Sequence, residues 1–206
     1  MSKALLICNG EKPGKWLKKY ATQADFILAA DGGADAALAA GVIPDAVIGD
    51  LDSVSHRLRR QLKDTPFIHI KRQDNTDLEK ALDWLTIQQF NACTIVGATG
   101  GRLDFTLGNI LAVRPYLKKI DIFFRGPNWS LQFITKTYKF SACKGARASL
   151  IPLTACKAVS LKGFLYPLKN ENIGQSCIGR SLSNQISAAK SEVSCAGGCL
   201  LLYLED

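Results

Sequence analysis

Three aspartates carry the strongest chemical signal in this 206-residue chain. Asp50 and Asp52 follow a short apolar run, Ala46–Ile48, that ends at Gly49, and Asp77 opens a segment with helical periodicity. In an extended segment residues two apart point the same way, so the carboxylates of Asp50 and Asp52 share a direction. Bringing Asp77 alongside concentrates three negative charges. At about 4 Å each such pair repels by ~4 kcal/mol at an effective dielectric of 20. A hard divalent cation relieves that repulsion, and oxygen-only donors favour magnesium over zinc. Each acid taken alone can equally be a turn or cap residue; it is the converged set that implies a metal.

A second signal lies in Gly97-Ala98-Thr99-Gly100-Gly101-Arg102, which leads directly into a helical pattern. Gly100 and Gly101 let the backbone approach a phosphate, and a helix N-terminus offers free amides to anions. Arg102 can grip a phosphate oxygen pair in bidentate fashion. The segment is neither a Walker loop nor the dinucleotide fingerprint. Asp31-Gly32-Gly33, at the end of another apolar run, adds a further acid and further glycines.

These residues need elements that carry them to one edge. Lys3–Cys8, Phe26–Ala30, Ala46–Ile48, Phe67–Ile70, Cys93–Gly97 and Ile120–Phe124 read as strands. Helical patterns fall between them, near Lys15–Tyr20, over Ala34–Ala40 and from Asp104 to about Tyr116. The clearest has Leu78, Ala81, Leu82 and Leu85 on one stripe, with Thr76 and Glu79 forming a capping box that puts Asp77 in the first turn. Strand–helix alternation predicts a largely parallel, Rossmann-like sheet, whose ligands bind beyond the strands' carboxyl ends. After Gly126-Pro127-Asn128 the grammar changes to short strand-like runs separated by Gly, Asn and Pro: Leu131–Thr135, Thr137–Phe140, Ala146–Pro152, Ala158–Leu161 and Gly198–Leu204. The fold class expected is therefore α/β, with an α/β catalytic domain over 1–128 and a smaller all-β sandwich domain over 129–206.

Composition narrows the function classes. The formal charge of +8 raises nucleic-acid binding. However, the basic residues stand singly or in short pairs such as Lys18-Lys19, Arg59-Arg60 and Lys71-Arg72, with no interleaved aromatics. Clustered acids where phosphate would lie argue against it further. The seven cysteines (Cys8, Cys93, Cys143, Cys156, Cys177, Cys195 and Cys199) form no Cys-x-x-Cys pair, and His56 and His69 are remote from them in sequence. Reduced thiols in a cytoplasmic protein are expected. The longest N-terminal apolar stretch, Ala4–Cys8, is too short for a membrane span or a signal core.

At these residues the sequence resembles the thiamine pyrophosphokinases. The resemblance runs through Asp31-Gly32-Gly33-Ala34, Pro44-Asp45, Ile48-Gly49-Asp50-Leu51-Asp52-Ser53, Gln73-Asp74-Asn75-Thr76-Asp77 with Lys80-Ala81-Leu82, and Gly100-Gly101-Arg102-Leu103-Asp104 with Asn109. It continues through Ser149-Leu150-Ile151-Pro152-Leu153, Gly163-Phe164-Leu165-Tyr166-Pro167-Leu168 and Ser181-Leu182-Ser183-Asn184. It implies transfer of a diphosphate from ATP to the hydroxyethyl oxygen of thiamine, in a homodimer with thiamine near the subunit interface. By the same resemblance Asp50, Asp52 and Asp77 ligate magnesium. Asp31, Gly32, Thr76, Lys80, Gly100, Gly101, Arg102, Asp104 and Asn109 line the ATP site, and Ser181, Ser183 and Asn184 shape the thiamine pocket. Gln73 lies close to the reacting groups, and Arg102 neutralises transferred charge. Asp77 and Asp104 are both candidates for the proton acceptor. Phe105 stands where many bacterial members have His; it cannot titrate, and is expected to pack its helix against the sheet. The rival readings are a diphosphotransferase for another small alcohol, such as a pterin, a basic nucleic-acid-binding protein, and a non-catalytic nucleotide or thiamine sensor.

Overall fold

The computed structural model describes residues 2–52, 54–72, 74–174, 176, 179 and 181–205. Ser53, Gln73 and Cys177 thus lie outside the described residues. The chain divides into two compact units, residues 1–127 and 128–206.

In the first unit the strands are β1 (Lys3–Ile7), β2 (Phe26–Ala30), β3 (Ala46–Gly49), β4 (Phe67–His69), β5 (Ala92–Val96) and β6 (Asp121–Arg125). Their order is β4-β3-β2-β1-β5-β6, and every pair is parallel. Leu5, Leu6 and Ile7 of β1, like Ile95 and Val96 of β5, are fully buried, as expected of strands covered on both faces. The chain runs outward from β1 to β4, then returns to place β5 on the other side of β1. The direction of winding therefore reverses between β1 and β5.

The helices of this unit are α1 (Leu17–Ala21), α2 (Gly33–Ala39), α3 (His56–Gln61), α4 (Asp77–Ile87) and α5 (Leu103–Ala112). The expected capping box is present on α4: the Thr76 hydroxyl accepts from the Glu79 amide at 3.3 Å, and Glu79 Oε2 accepts from the Thr76 amide at 2.9 Å. Leu78, Ala81, Leu82 and Leu85 are the buried stripe of α4. Phe26, Trp84 and Phe90 pack at centroid distances of 5.5–6.4 Å, tying α4 to β2. The first residue of α4 is thereby fixed against the sheet.

Two sequence expectations need correction. The helix expected from Asp104 to Tyr116 ends at Ala112 and gives way to a 3-10 turn, Arg114–Lys118. Pro115 cannot donate an amide to a continuing helix. The segment His56–Gln61, not read as an element, forms α3; the Ser55 hydroxyl caps it by accepting from the Leu58 amide at 3.1 Å.

In the second unit β7 (Trp129–Ile134), β8 (Thr137–Ser141), β9 (Arg147–Pro152), β10 (Cys156–Lys162), β11 (Glu171–Ile173), β12 (Asn184–Gln185), β13 (Lys190–Ser194) and β14 (Leu200–Glu205) form two antiparallel sheets. Their orders are β12-β9-β14-β7 and β11-β10-β13-β8. Inward residues of both, among them Leu150, Val159, Leu161, Val193, Leu200 and Leu202, make one core. This is the sandwich expected. The short strands β11 and β12, and the polar-rich β13 (Lys190-Ser191-Glu192-Val193-Ser194), carry too little apolar alternation to be read beforehand.

Leu82 has no exposed surface and sits mid-stripe on α4. Leu82→Ala is expected to cost about 2–5 kcal/mol in urea unfolding, through lost transfer energy and the cavity left behind.

Candidate active site

A cleft of about 390 Å³ opens in the first unit beyond the carboxyl ends of the strands. It lies where the winding reverses, the position at which open α/β sheets hold ligands. Its walls are Cys8, Asn9 and Gly10 after β1; Ala30, Asp31 and Gly32 after β2; Thr76, Asp77 and Leu78 at the start of α4; Gly97, Ala98 and Gly100–Arg102 after β5; and Phe105 and Asn109 of α5.

The segment Cys8-Asn9-Gly10 did not figure among the sequence-derived site residues, although an Asn-Gly pair favours a turn. It runs beside the loop after β5. The amides of Cys8, Gly10 and Glu11 donate to the carbonyls of Val96, Gly97 and Thr99 at 2.8, 2.6 and 2.7 Å. A β-carbon on Gly10 would press on the carbonyl oxygens of Gly97 and Thr99, the latter at 2.6 Å. Glycine is what permits the two loops to lie against each other. Burial, and then the charge of Asp77, push the Cys8 thiol up to about 12, which disfavours the thiolate.

Asp31 adopts φ 44°, a left-handed conformation that Asp tolerates better than most residues. Its amide donates to the Ile48 carbonyl at 2.8 Å, and its carbonyl accepts from Ala34 at 3.1 Å. This sharp turn begins α2. A β-carbon at Gly49 would lie 3.1 Å from that of Asp31 and 3.4 Å from Asp77 Oδ1. The lack of a side chain there lets Asp31 and Asp77 approach the same point.

Asp50 and Asp77 share one counter-charge. Lys80 Nζ lies 2.9 Å from Asp77 Oδ1 and 3.6 Å from Asp50 Oδ2. Burial works against the ammonium, but the hydrogen bond and charge of Asp77, and then Asp50, outweigh it and hold its pKa above the usual lysine value. Lys80 is 4% exposed and, like Asp104, is not a wall of the cleft, whereas Asp31, Gly32, Thr76, Gly100, Gly101, Arg102 and Asn109, also expected around ATP, are. Asp52 is exposed, and its amide donates to Asp50 Oδ1 at 3.2 Å. Leu51 between them has φ 64°, so the extended geometry expected for residues 50–52 is replaced by a turn that Asp50 itself caps. Among the described residues no three His, Cys, Asp or Glu side chains gather as a ready metal cage.

Arg102 and Asp104 form an exposed two-point pair, with Nε to Oδ1 at 3.1 Å and Nη2 to Oδ2 at 2.6 Å. The guanidinium holds the Asp104 carboxyl below its ordinary range. Arg102 also lies over the Phe105 ring, 4.6 Å from its centroid. Phe105 is 50% exposed; it faces the cleft instead of packing α5 on the sheet as expected. Its ring supplies a flat surface that steadies Arg102. Asn109 Nδ2 donates to the Ala98 carbonyl at 2.8 Å, and the Thr106 hydroxyl accepts from the Gly100 amide at 3.1 Å. Both hold the glycine loop to α5.

In the second unit Asn184 is 3% exposed. Its side chain pairs with the backbone of Tyr166 in both senses, donating to the carbonyl at 2.7 Å and accepting from the amide at 3.0 Å. It therefore fixes the Phe164–Leu168 loop. Ser183 is exposed at φ 54°, and its amide donates to Ser149 Oγ at 3.0 Å. Ser181 is buried, with its carbonyl accepting from Leu150 at 2.7 Å.

Gly10→Ala must part the two loops. A loss of about 1–3 kcal/mol is expected in urea unfolding, against no loss for Gly108→Ala, an exposed helical position where a β-carbon would meet nothing within 4 Å.

The sequence matches two family profiles: thiamin pyrophosphokinase, catalytic domain, over residues 17–124, and thiamin pyrophosphokinase, vitamin B1 binding domain, over residues 137–200. It is 33% identical over 196 residues to a thiamine pyrophosphokinase of Bacillus subtilis (strain 168), with 90% of each chain covered. The crystal structure of thiamine pyrophosphokinase from Bacillus subtilis aligns with a TM-score of 0.86 at 27% identity over 99% of both chains. A solved structure of thiamin pyrophosphokinase from Candida albicans aligns with a TM-score of 0.87 over 99% of this chain and 88% of that one; at 19% identity this is a likeness of fold.

Proposed function

The chain belongs to the thiamine pyrophosphokinase family, and from that premise we propose that it transfers the diphosphate of ATP to the hydroxyethyl oxygen of thiamine, giving thiamine diphosphate and AMP. The observation that carries this reading is the cleft between β1 and β5, where glycine backbones able to approach phosphates meet the carboxylates of Asp31 and Asp77. Few small-molecule pairs need both. A polyphosphate takes the backbone amides and Arg102, and a cationic alcohol is suited by acids.

Magnesium fits the donor set. Asp50 and Asp77 already direct oxygens at one positive charge, the Lys80 ammonium, and Asp52 stands exposed two residues along. Asp50, Asp52 and Asp77 would hold the ion, with water completing its shell. When bound, it neutralises phosphate charge during the transfer.

The remaining work falls to side chains. Arg102 turns from Asp104 to a phosphate oxygen, with the Phe105 ring limiting its swing. Asp77, in the cleft wall, and Asp104, freed as Arg102 turns to phosphate, are the two carboxylates placed to take the hydroxyl proton. Gln73 lies outside the described residues; the family motif assigns it to the reacting groups. In the second unit Ser183 offers an exposed hydroxyl to thiamine, Asn184 acts by fixing the Tyr166 backbone, and Ser181 acts from within the core. Among the described residues no helix is long and apolar enough to cross a membrane. The free thiols of Cys8, Cys93, Cys143, Cys156 and Cys195 support a cytoplasmic setting.

A homodimer is part of the proposal. Leu103, Leu107 and Leu111 follow one another at four-residue spacing on α5 and are 71%, 54% and 50% exposed, and no residue of α5 is buried. A helix of ten residues with its leucine stripe in water lacks its partner surface, and a second copy supplies one. Leu107→Glu/Leu111→Glu is expected to halve the mass measured by light scattering; a wild type already monomeric at micromolar concentration overturns the dimer.

The activity is tested by incubating the purified protein with ATP, magnesium and thiamine and identifying the products. AMP and thiamine diphosphate are expected. ADP with thiamine monophosphate, or no turnover, overturns the proposal.

A further inference from the structure

The family motif puts Lys80 among residues near ATP, yet its side chain is 3% exposed and lies behind the cleft wall. It occupies the first turns of α4, on the buried side with Leu78, Ala81 and Leu82. Its ammonium reaches Asp77, three residues earlier on the same helix, and Asp50, beyond the end of β3. Lys80 is thus the group through which α4 and the β3 loop are joined electrostatically. A lysine this deep is retained only when paired, and here both partners are acids expected to face a metal.

We propose that Lys80 is a positioning residue of the metal site: a fixed internal cation that holds Asp50 and Asp77 together before metal arrives and weakens the site's grip on bare metal, so that the ion enters with the nucleotide. This rests on the reading of Asp50, Asp52 and Asp77 as metal ligands. Two carboxylates alone would present a charge of −2, attracting a free divalent ion strongly and repelling a polyphosphate. With Lys80 between them the pair presents −1. Both effects are reduced. The Lys80 side chain is 3% exposed, and its ammonium stays between the two acids.

The test is calorimetric titration of Mg²⁺ into nucleotide-free wild type and Lys80→Met. The variant is expected to bind at least about tenfold more tightly, since a neighbouring positive charge has been removed. Its metal-free unfolding midpoint falls, and Mg²⁺ restores a larger share of it than in wild type. Equal or weaker binding by the variant, or no binding by either protein, overturns the proposal. A merely structural lysine would lower the midpoint without tightening the metal. Should Lys80→Met not fold, Lys80→Met/Asp77→Asn answers instead: recovery of folding on removing one acid is the expected result, and a double variant that stays unfolded overturns it. Turnover of ATP and thiamine by wild type is followed in parallel. Its absence defeats the activity, whereas turnover with unaltered Mg²⁺ binding in the variant defeats only the role of Lys80.

Discussion

A buried ammonium cannot stand without its counter-charges, and Lys80 sets that condition for the catalytic unit. Its Nζ must meet Asp77 on its own helix and Asp50 on another element. That fixes the rotation of α4 about its axis and the path of the chain leaving β3. The same rotation puts Leu78, Ala81, Leu82 and Leu85 into the core and Thr76 at the N-cap. Capping, apolar burial and the ion pair thus agree on one placement of α4, and agreement between independent local preferences is what gives a sequence a single structure. Gly49 completes the arrangement, since any side chain there would crowd Asp31 and Asp77.

The opposite wall of the cleft is held by softer means. The glycine loop after β5 is tied by backbone bonds to the loop after β1 and by Asn109 and Thr106 to α5. The Arg102–Asp104 pair lies in water, with side chains 72% and 63% exposed. Exposed pairs contribute little to stability, because solvent screens them and both side chains lose freedom in forming them. Such a pair is easily exchanged for a phosphate. One wall is therefore rigid, carrying acids, and the other is adjustable, carrying the arginine. That division suits a site that must hold a reacting geometry and still admit and release a nucleotide.

In the second unit the motif residues divide in the same way. Asn184 uses its amide to imitate a strand partner for Tyr166, and is buried in doing so. Ser183, beside it, is held at a left-handed angle with its side chain exposed. One residue builds the loop and the next presents a group to solvent. A motif read along the sequence treats the two alike.

What the sequence determined by itself was whatever depends on near neighbours. The apolar runs of β1, β2, β3 and β5, the stripe and cap of α4, and the change of grammar near residue 128 are legible because periodicity and capping act within a few residues. The acids and glycines at the strand ends could be assigned to one edge for the same reason. Tertiary structure decided the rest. The turn at Leu51 separates Asp50 from Asp52, and no alternation rule foresees a left-handed residue between two acids. Gly10 enters the site only through the carbonyls of Gly97 and Thr99, nearly ninety residues away. Phe105 and the leucines of α5 look like core residues in sequence and stand exposed in the chain. Above all, Lys80 reads as a residue near ATP, and its meeting with Asp50, thirty residues earlier, makes it the buried partner of the acids. Hydrophobic spacing tells which residues leave water; which charge meets which is set by the packing of α4 beside β3, and that exists only in the fold.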